Sequence, residues 1–188
     1  YEISLGLVGS EMCIRDSTIS DSYFVNNSGR WGGAISASGY LIAGDDVNTL
    51  TVSGSTFKEN GGLYGAGIFV AGSDFTVSDC VFDKNTASGK GNMTPNDNNG
   101  AAIEVTNTDK AITGTISKST FTNNKAQYGG AAWINEGTVD ISNSNFINNT
   151  ATVEAGAIGF EPAYTKITAT VYGTNFINNT AGVDGGAI

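Results

Sequence analysis

The residue types that most often carry out chemistry are scarce or scattered in this chain. There is no histidine, which removes the commonest general acid/base and the commonest metal ligand together. Acid catalysis on glycans needs paired carboxylates, or acids with a basic residue to stabilise the developing anion. The only adjacent acidic pair, Asp45-Asp46, reads as a solvated turn between Ala43 and Val47, and Arg30 and the other basic residues form no cluster. The run Asn96-Asp97-Asn98-Asn99-Gly100 resembles the start of an oxygen-ligand loop for calcium but lacks spaced acids and a closing Glu. Residue types and spacing therefore nominate no catalytic, cofactor-binding or metal-binding residue, and a non-enzymatic protein is expected.

Other polar patterns have structural explanations. The sequons at Asn26, Asn148 and Asn178 arise from repeated Asn-Asn-Thr/Ser wording, whereas Asn92 lies in an inserted loop that suits an acceptor in a eukaryotic secreted protein. Ice binding would need a Thr-x-Thr pair on every coil of one flat face. Thr49/Thr51 and Thr168/Thr170 lie in coils far apart, which argues against it. Cys80 occupies a repeat position filled elsewhere by Ser22, Ser55, Ser119, Ser144 and Thr174, and so reads as a small buried residue in a ladder; Cys13 lies outside the repeat.

The elements that carry these residues follow from a repeat. Phe and Asn stand three apart at Phe24/Asn27, Phe57/Asn60, Phe82/Asn85, Phe121/Asn124, Phe146/Asn149 and Phe176/Asn179. After each comes a small-residue run ending in a bulky residue, at 32–35, 65–68, 100–103, 130–133, 155–158 and 185–188. Self-similarity at a period of roughly 20 to 50 residues marks a stacked architecture in which each unit buries its apolar face against its neighbours. With 26 Gly, 2 Pro and many Asn, Ser and Thr, the chain is poorly suited to helical repeats.

A β-branched residue precedes each Phe by five: Ile19, Val52, Val77, Ile116, Ile141 and Val171. An odd separation puts two residues of a straight strand on opposite faces, so a corner must lie between them. Asp21, Gly54, Asp79, Lys118, Asn143 and Gly173 occupy that corner, and all but Lys118 are types that tolerate left-handed backbone. A third strand begins at the small-residue run, where Ile68/Val70, Ile103/Val105 and Ile158/Phe160 alternate. Trp133 leaves the register of its run open, since either it or Ile134 could fill the inward place. Three short strands per coil describe an all-β, single-stranded parallel β-helix of about six coils. The shortest repeat interval is 25 residues; longer intervals hold insertions, the clearest at 88–97. Trp31, Tyr64 and Tyr128 precede small-residue runs and either line one outer face or pack against loops; Tyr40 is a further aromatic suited to contact.

Residues 1–17 share nothing with the repeat and resemble translated sequencing-adaptor read-through, so the repeat domain is expected at 18–188, as a fragment of a longer array. The formal net charge of −9 disfavours nucleic acid and anionic membrane surfaces as partners. No apolar run approaches the roughly 18 residues of a membrane-spanning helix.

The pairing of Phe-x-x-Asn with Gly-Gly-Ala-Ile, spelled in full at 32–35 and 185–188, resembles the repeats of the polymorphic outer-membrane protein family first recognised in chlamydiae, and of similar microbial adhesin-like proteins. The resemblance covers 18–188. It implies a right-handed, pectate-lyase-like parallel β-helix, extracellular or at the cell surface, acting in adhesion toward an extracellular protein or glycan. The rival reading is a carbohydrate-active β-helix, a polysaccharide lyase or glycoside hydrolase.

Overall fold

The computed structural model describes residues 16–39, 47–88, 99–106, 112–162 and 166–188. Its strands fall into four parallel sheets, each adding one strand per coil in chain order. Sheet A holds Asp16–Ser20, Asn48–Ser53, Ser73–Ser78, Thr113–Ser117, Thr138–Ser142 and Thr168–Tyr172. Sheet B holds Tyr23–Val25, Thr56–Lys58, Val81–Asp83, Thr120–Thr122, Asn145–Ile147 and Asn175–Ile177. Sheet C holds Ser28–Trp31, Gly61–Tyr64, Thr86–Ala87, Lys125–Tyr128, Thr150–Glu154 and Thr180–Ala181. Sheet D holds Ile35–Ser38, Ile68–Ala71, Ile103–Thr106, Ala132–Ile134 and Ile158–Phe160. The described residues form a parallel β-helix of six rungs, whose first described strand begins at Asp16.

Each rung turns at three left-handed corners. The first carries Asp21, Gly54, Asp79, Lys118, Asn143 and Gly173, at φ between 47° and 58°, as the spacing of the β-branched residue and Phe demands. The second falls just before the repeat Asn, at Asn26, Glu59, Lys84, Asn123, Asn148 and Asn178. The third opens the small-residue run, at Gly32, Gly65, Gly100, Gly129, Ala155 and Gly185. The second and third corners flank sheet C, a fourth strand per coil where three were expected. Its segments, such as Gly61-Gly62-Leu63-Tyr64 and Thr86-Ala87, mix small, polar and bulky residues with no regular apolar alternation, so periodicity could not reveal them.

Small residues in sheet C have a packing reason. Ala87 and Ala126 are buried against Ala101 of the small-residue run, so the two segments approach with no room for larger side chains. A Cβ on Gly33 would overlap the carbonyl oxygens of Ala66 and Gly61.

Sequence-equivalent residues stack in register. Val52, Val77, Ile116 and Ile141 are fully buried and pair rung to rung in sheet A. The six Phe rings form one internal column in sheet B, with centroids 4.8, 4.7, 4.8, 4.5 and 5.2 Å apart.

One register differs from the sequence alignment. Ala132 pairs with Ile103 and Ile158, Trp133 with Glu104 and Gly159, and Ile134 with Val105 and Phe160. The fourth small-residue run is therefore Gly129 to Ala132, one residue earlier than 130–133. Ala132 takes the Ile position, Ile134 the second inward position, and Trp133 points outward yet is buried. Gly159 makes this possible, because a Cβ there would overlap Cε3 and Cζ3 of Trp133. Gly159→Ala is accordingly expected to cost about 1 to 3 kcal/mol in denaturant unfolding, and Trp133→Leu in the same chain to recover part of that loss.

Candidate functional site

The repeat motif is occupied by internal hydrogen bonding. Nδ2 of Asn27 donates to Oδ1 of Asn60 (3.0 Å), and the relay continues from Asn60 to Asn85 (3.0 Å), Asn85 to Asn124 (3.0 Å), Asn124 to Asn149 (2.9 Å) and Asn149 to Asn179 (2.9 Å). From Asn60 onward, Nδ2 also donates to the Phe carbonyl of the preceding rung, as Asn85 does to Phe57 at 3.0 Å. Each of the first five backbone N–H groups donates to the next Asn Oδ1. The second corner would otherwise leave these buried groups unpaired, so Asn is required by the turn, and Asn60, Asn85, Asn124 and Asn149 have no hydrogen-bonding capacity left for a ligand.

A second ladder runs beside it. The backbone N–H of Ser22 donates to Ser55 Oγ, that of Cys80 to Ser119 Oγ and that of Ser119 to Ser144 Oγ, each at 3.1 Å. Cys80 is buried, with Sγ donating to the Ser78 carbonyl at 3.1 Å. Burial pushes its thiol pKa upward, so little of the reactive thiolate forms near neutrality. Cys80 is expected to resist alkylation by iodoacetamide in the folded protein and to react on unfolding. Cys80→Ser should change stability by less than about 1 kcal/mol, since Ser already fills the site in other rungs.

What remains for recognition is the outer surface. Sheet B presents two mixed columns: Tyr23, Thr56, Val81, Thr120, Asn145 and Asn175, then Val25, Lys58, Asp83, Thr122, Ile147 and Ile177. Tyr23 is 73% exposed. Sheet A presents three columns of nearly one character. They are Asp16, Thr49, Asp74, Thr113, Thr138 and Thr168; Thr18, Thr51, Thr76, Thr115, Asp140 and Thr170; and Ser20, Ser53, Ser78, Ser117, Ser142 and Tyr172. Thr49/Thr51 and Thr168/Thr170, far apart in sequence, thus share one face with Thr113/Thr115 between them.

The expected aromatic face forms in part. Trp31 stacks on Tyr64 with centroids 4.3 Å apart, and the Arg30 guanidinium lies 5.3 Å from the Trp31 ring. Asn99 stands between Tyr64 and Tyr128, and Tyr128 turns toward Trp133, 5.4 Å away. Of the sequons, Asn26, Asn148 and Asn178 are exposed corner residues, while the ladder uses the Asn that follows each of them. The sequence reading missed two buried acids, Glu104 and Glu136. Glu104 lies between Phe69 and Trp133 on the outer side of sheet D, a location visible only once that register is known. Among the described residues no group of three or more His, Cys, Asp or Glu could hold a metal ion, and no helix is long and apolar enough to cross a membrane. Cys13, Tyr40, Asp45-Asp46, Asn92 and 96–98 lie outside the described residues.

Residues 21–38 match the family model described as the Chlamydia polymorphic membrane protein repeat. No curated protein and no solved structure matches the chain significantly. The matched stretch contains Phe24, Asn27 and the run 32–35, the residues that build the Phe column, the Asn ladder and the third corner. Residues 21–38, in the first rung, are thus a repeat of the polymorphic membrane protein type, and the same corners and ladders recur in the five described rungs that follow.

Proposed function

We propose that this chain is a non-enzymatic segment of an adhesin-type protein, displayed at the cell surface or secreted, whose rod presents outward side chains and inter-rung loops to an extracellular protein or glycan. One observation carries the reading: motif positions are nearly invariant from rung to rung and committed to interior ladders, whereas outward positions on sheet B change character across the first five rungs, with only the fifth and sixth alike. A rigid interior with a variable exterior serves recognition, because the scaffold stays fixed while the contact surface varies. The polymorphic-membrane-protein repeat supports surface association.

The test is binding of the chain to immobilised extracellular-matrix proteins and a glycan array, with Tyr23→Ala/Val81→Ala and Cys80→Ser compared. Saturable binding weakened by the double outward substitution and kept by Cys80→Ser supports the proposal. Release of unsaturated or reducing-end products from an acidic polysaccharide, without saturable binding, would support the carbohydrate-active alternative.

A further inference from the structure

We propose that the outer face of sheet A is an ice-binding surface, a function separate from adhesion and carried by different residues. Its first two columns contain twelve positions, of which nine are Thr and three are Asp. Solvent-facing strand positions favour Thr in general, but sheet B meets the same demand in the same chain with Tyr, Val, Lys, Asp, Asn and Ile mixed among Thr. Thr on sheet A is therefore a property of that face.

The geometry suits a crystalline lattice of water. Pairing in sheet A runs in register through all six strands, whereas sheet C shifts between Ala126 and Tyr128. Equivalent Thr residues thus repeat about every 4.7 to 4.9 Å across rungs, and alternate residues about 6.6 Å apart along a strand. Oxygen rows on the prism face of hexagonal ice repeat at a spacing close to the rung-to-rung one in one direction and somewhat wider than the along-strand one in the other. Each Thr offers a methyl and a hydroxyl on a side chain stiff at χ1, so the grid can order water between methyl groups and hydrogen-bond it at low entropic cost. Two of the three carboxylates are turned onto the next rung, Asp16 Oδ1 accepting from the Thr49 N–H (3.1 Å) and Asp74 Oδ1 from the Thr113 N–H (2.6 Å). Asp140 is the remaining interruption. The two Thr columns contain no aromatic residue on which sugar rings could stack and no basic residue to hold a polyanion, which favours ice over a crystalline polysaccharide or an acidic polymer.

The experiment is partition of the chain into slowly grown ice, with thermal hysteresis measured in parallel. Thr115→Lys at the centre of the grid is compared with Thr120→Lys on sheet B, both checked for native circular dichroism, and Asp140→Thr provides a variant that extends the grid. The chain is expected to enter ice above a non-binding control protein. Thr115→Lys should reduce incorporation about tenfold, because the ammonium must be desolvated against the lattice, Thr120→Lys should leave it within about twofold, and Asp140→Thr should raise it. Exclusion of the chain from ice like the control, equal incorporation of Thr115→Lys and wild type, or retention on crystalline cellulose without entry into ice would each overturn the proposal.

Discussion

Asn124→Ala is expected to destabilise the fold by about 4 to 6 kcal/mol, more than any other single truncation considered. Asn124 Oδ1 accepts from the N–H and Nδ2 of Asn85, both at 3.0 Å, and its Nδ2 donates to the Phe82 carbonyl (3.0 Å) and Asn149 Oδ1 (2.9 Å). Truncation leaves these partners short of hydrogen bonds in a site where Asn85 and Asn149 are fully buried, and each unmet group costs about 1 to 3 kcal/mol, not additively. Asn124→Asp separates donor from acceptor function. The carboxylate still accepts from Asn85 but faces two oxygens, so its pKa is raised in the folded state relative to the unfolded chain. The folded state then binds more protons, and the stability deficit of Asn124→Asp shrinks as pH falls and grows as pH rises. Urea unfolding of both variants at several pH values reads these effects. A loss under about 1 kcal/mol for Asn124→Ala would mean that the ladder does not carry the corner.

Phe121→Ala is expected to cost about 3 to 5 kcal/mol. Phe121 is fully buried, with Phe82 and Phe146 at centroid distances of 4.8 and 4.5 Å and interplanar angles of 1° and 0°. Removal opens a cavity between rungs and breaks two stacked pairs, each worth about 0.5 to 1.5 kcal/mol beyond burial. Phe121→Leu keeps most of the apolar area and should recover more than half of the loss. Phe24 has a single stacking partner in the column and is only half-buried, so Phe24→Ala should be milder, and equal losses at the two positions would contradict a continuous column.

Much of this architecture was legible before any coordinates because a parallel β-helix places the same residue type at the same height in every rung. The β-branched, Phe and Asn columns and the first corner, including Lys118, follow from spacing alone. The repeat Asn marked the second corner as well, but not which residues hold its left-handed backbone, since Glu59 and Lys84 do so without belonging to the types that advertise it. Sheet C was hidden by the Gly, Ala and Thr that its tight packing requires. Trp133 misled the alignment because its bulk mimics the Ile that ends other runs, while the space that accommodates it is supplied by Gly159, 26 residues on. The Thr grid was obscured by unequal repeat intervals of 33, 25, 39, 25 and 30 residues between ladder Asn residues. Outward columns cannot be assembled until each insertion has been assigned to its loop.

The central claim, that the Phe-x-x-Asn motif is interior structure and not a repeated binding motif, is tested most directly by hydrogen exchange of side-chain amides, observed by NMR. Asn143, Asn148 and Asn178 are exposed corner residues of the same chain and serve as internal controls. The ladder predicts that Nδ2 protons of Asn60, Asn85, Asn124 and Asn149 exchange orders of magnitude more slowly than those controls, through openings close to global unfolding in the central rungs. Exchange of the ladder amides at the rate of the exposed ones would contradict the account.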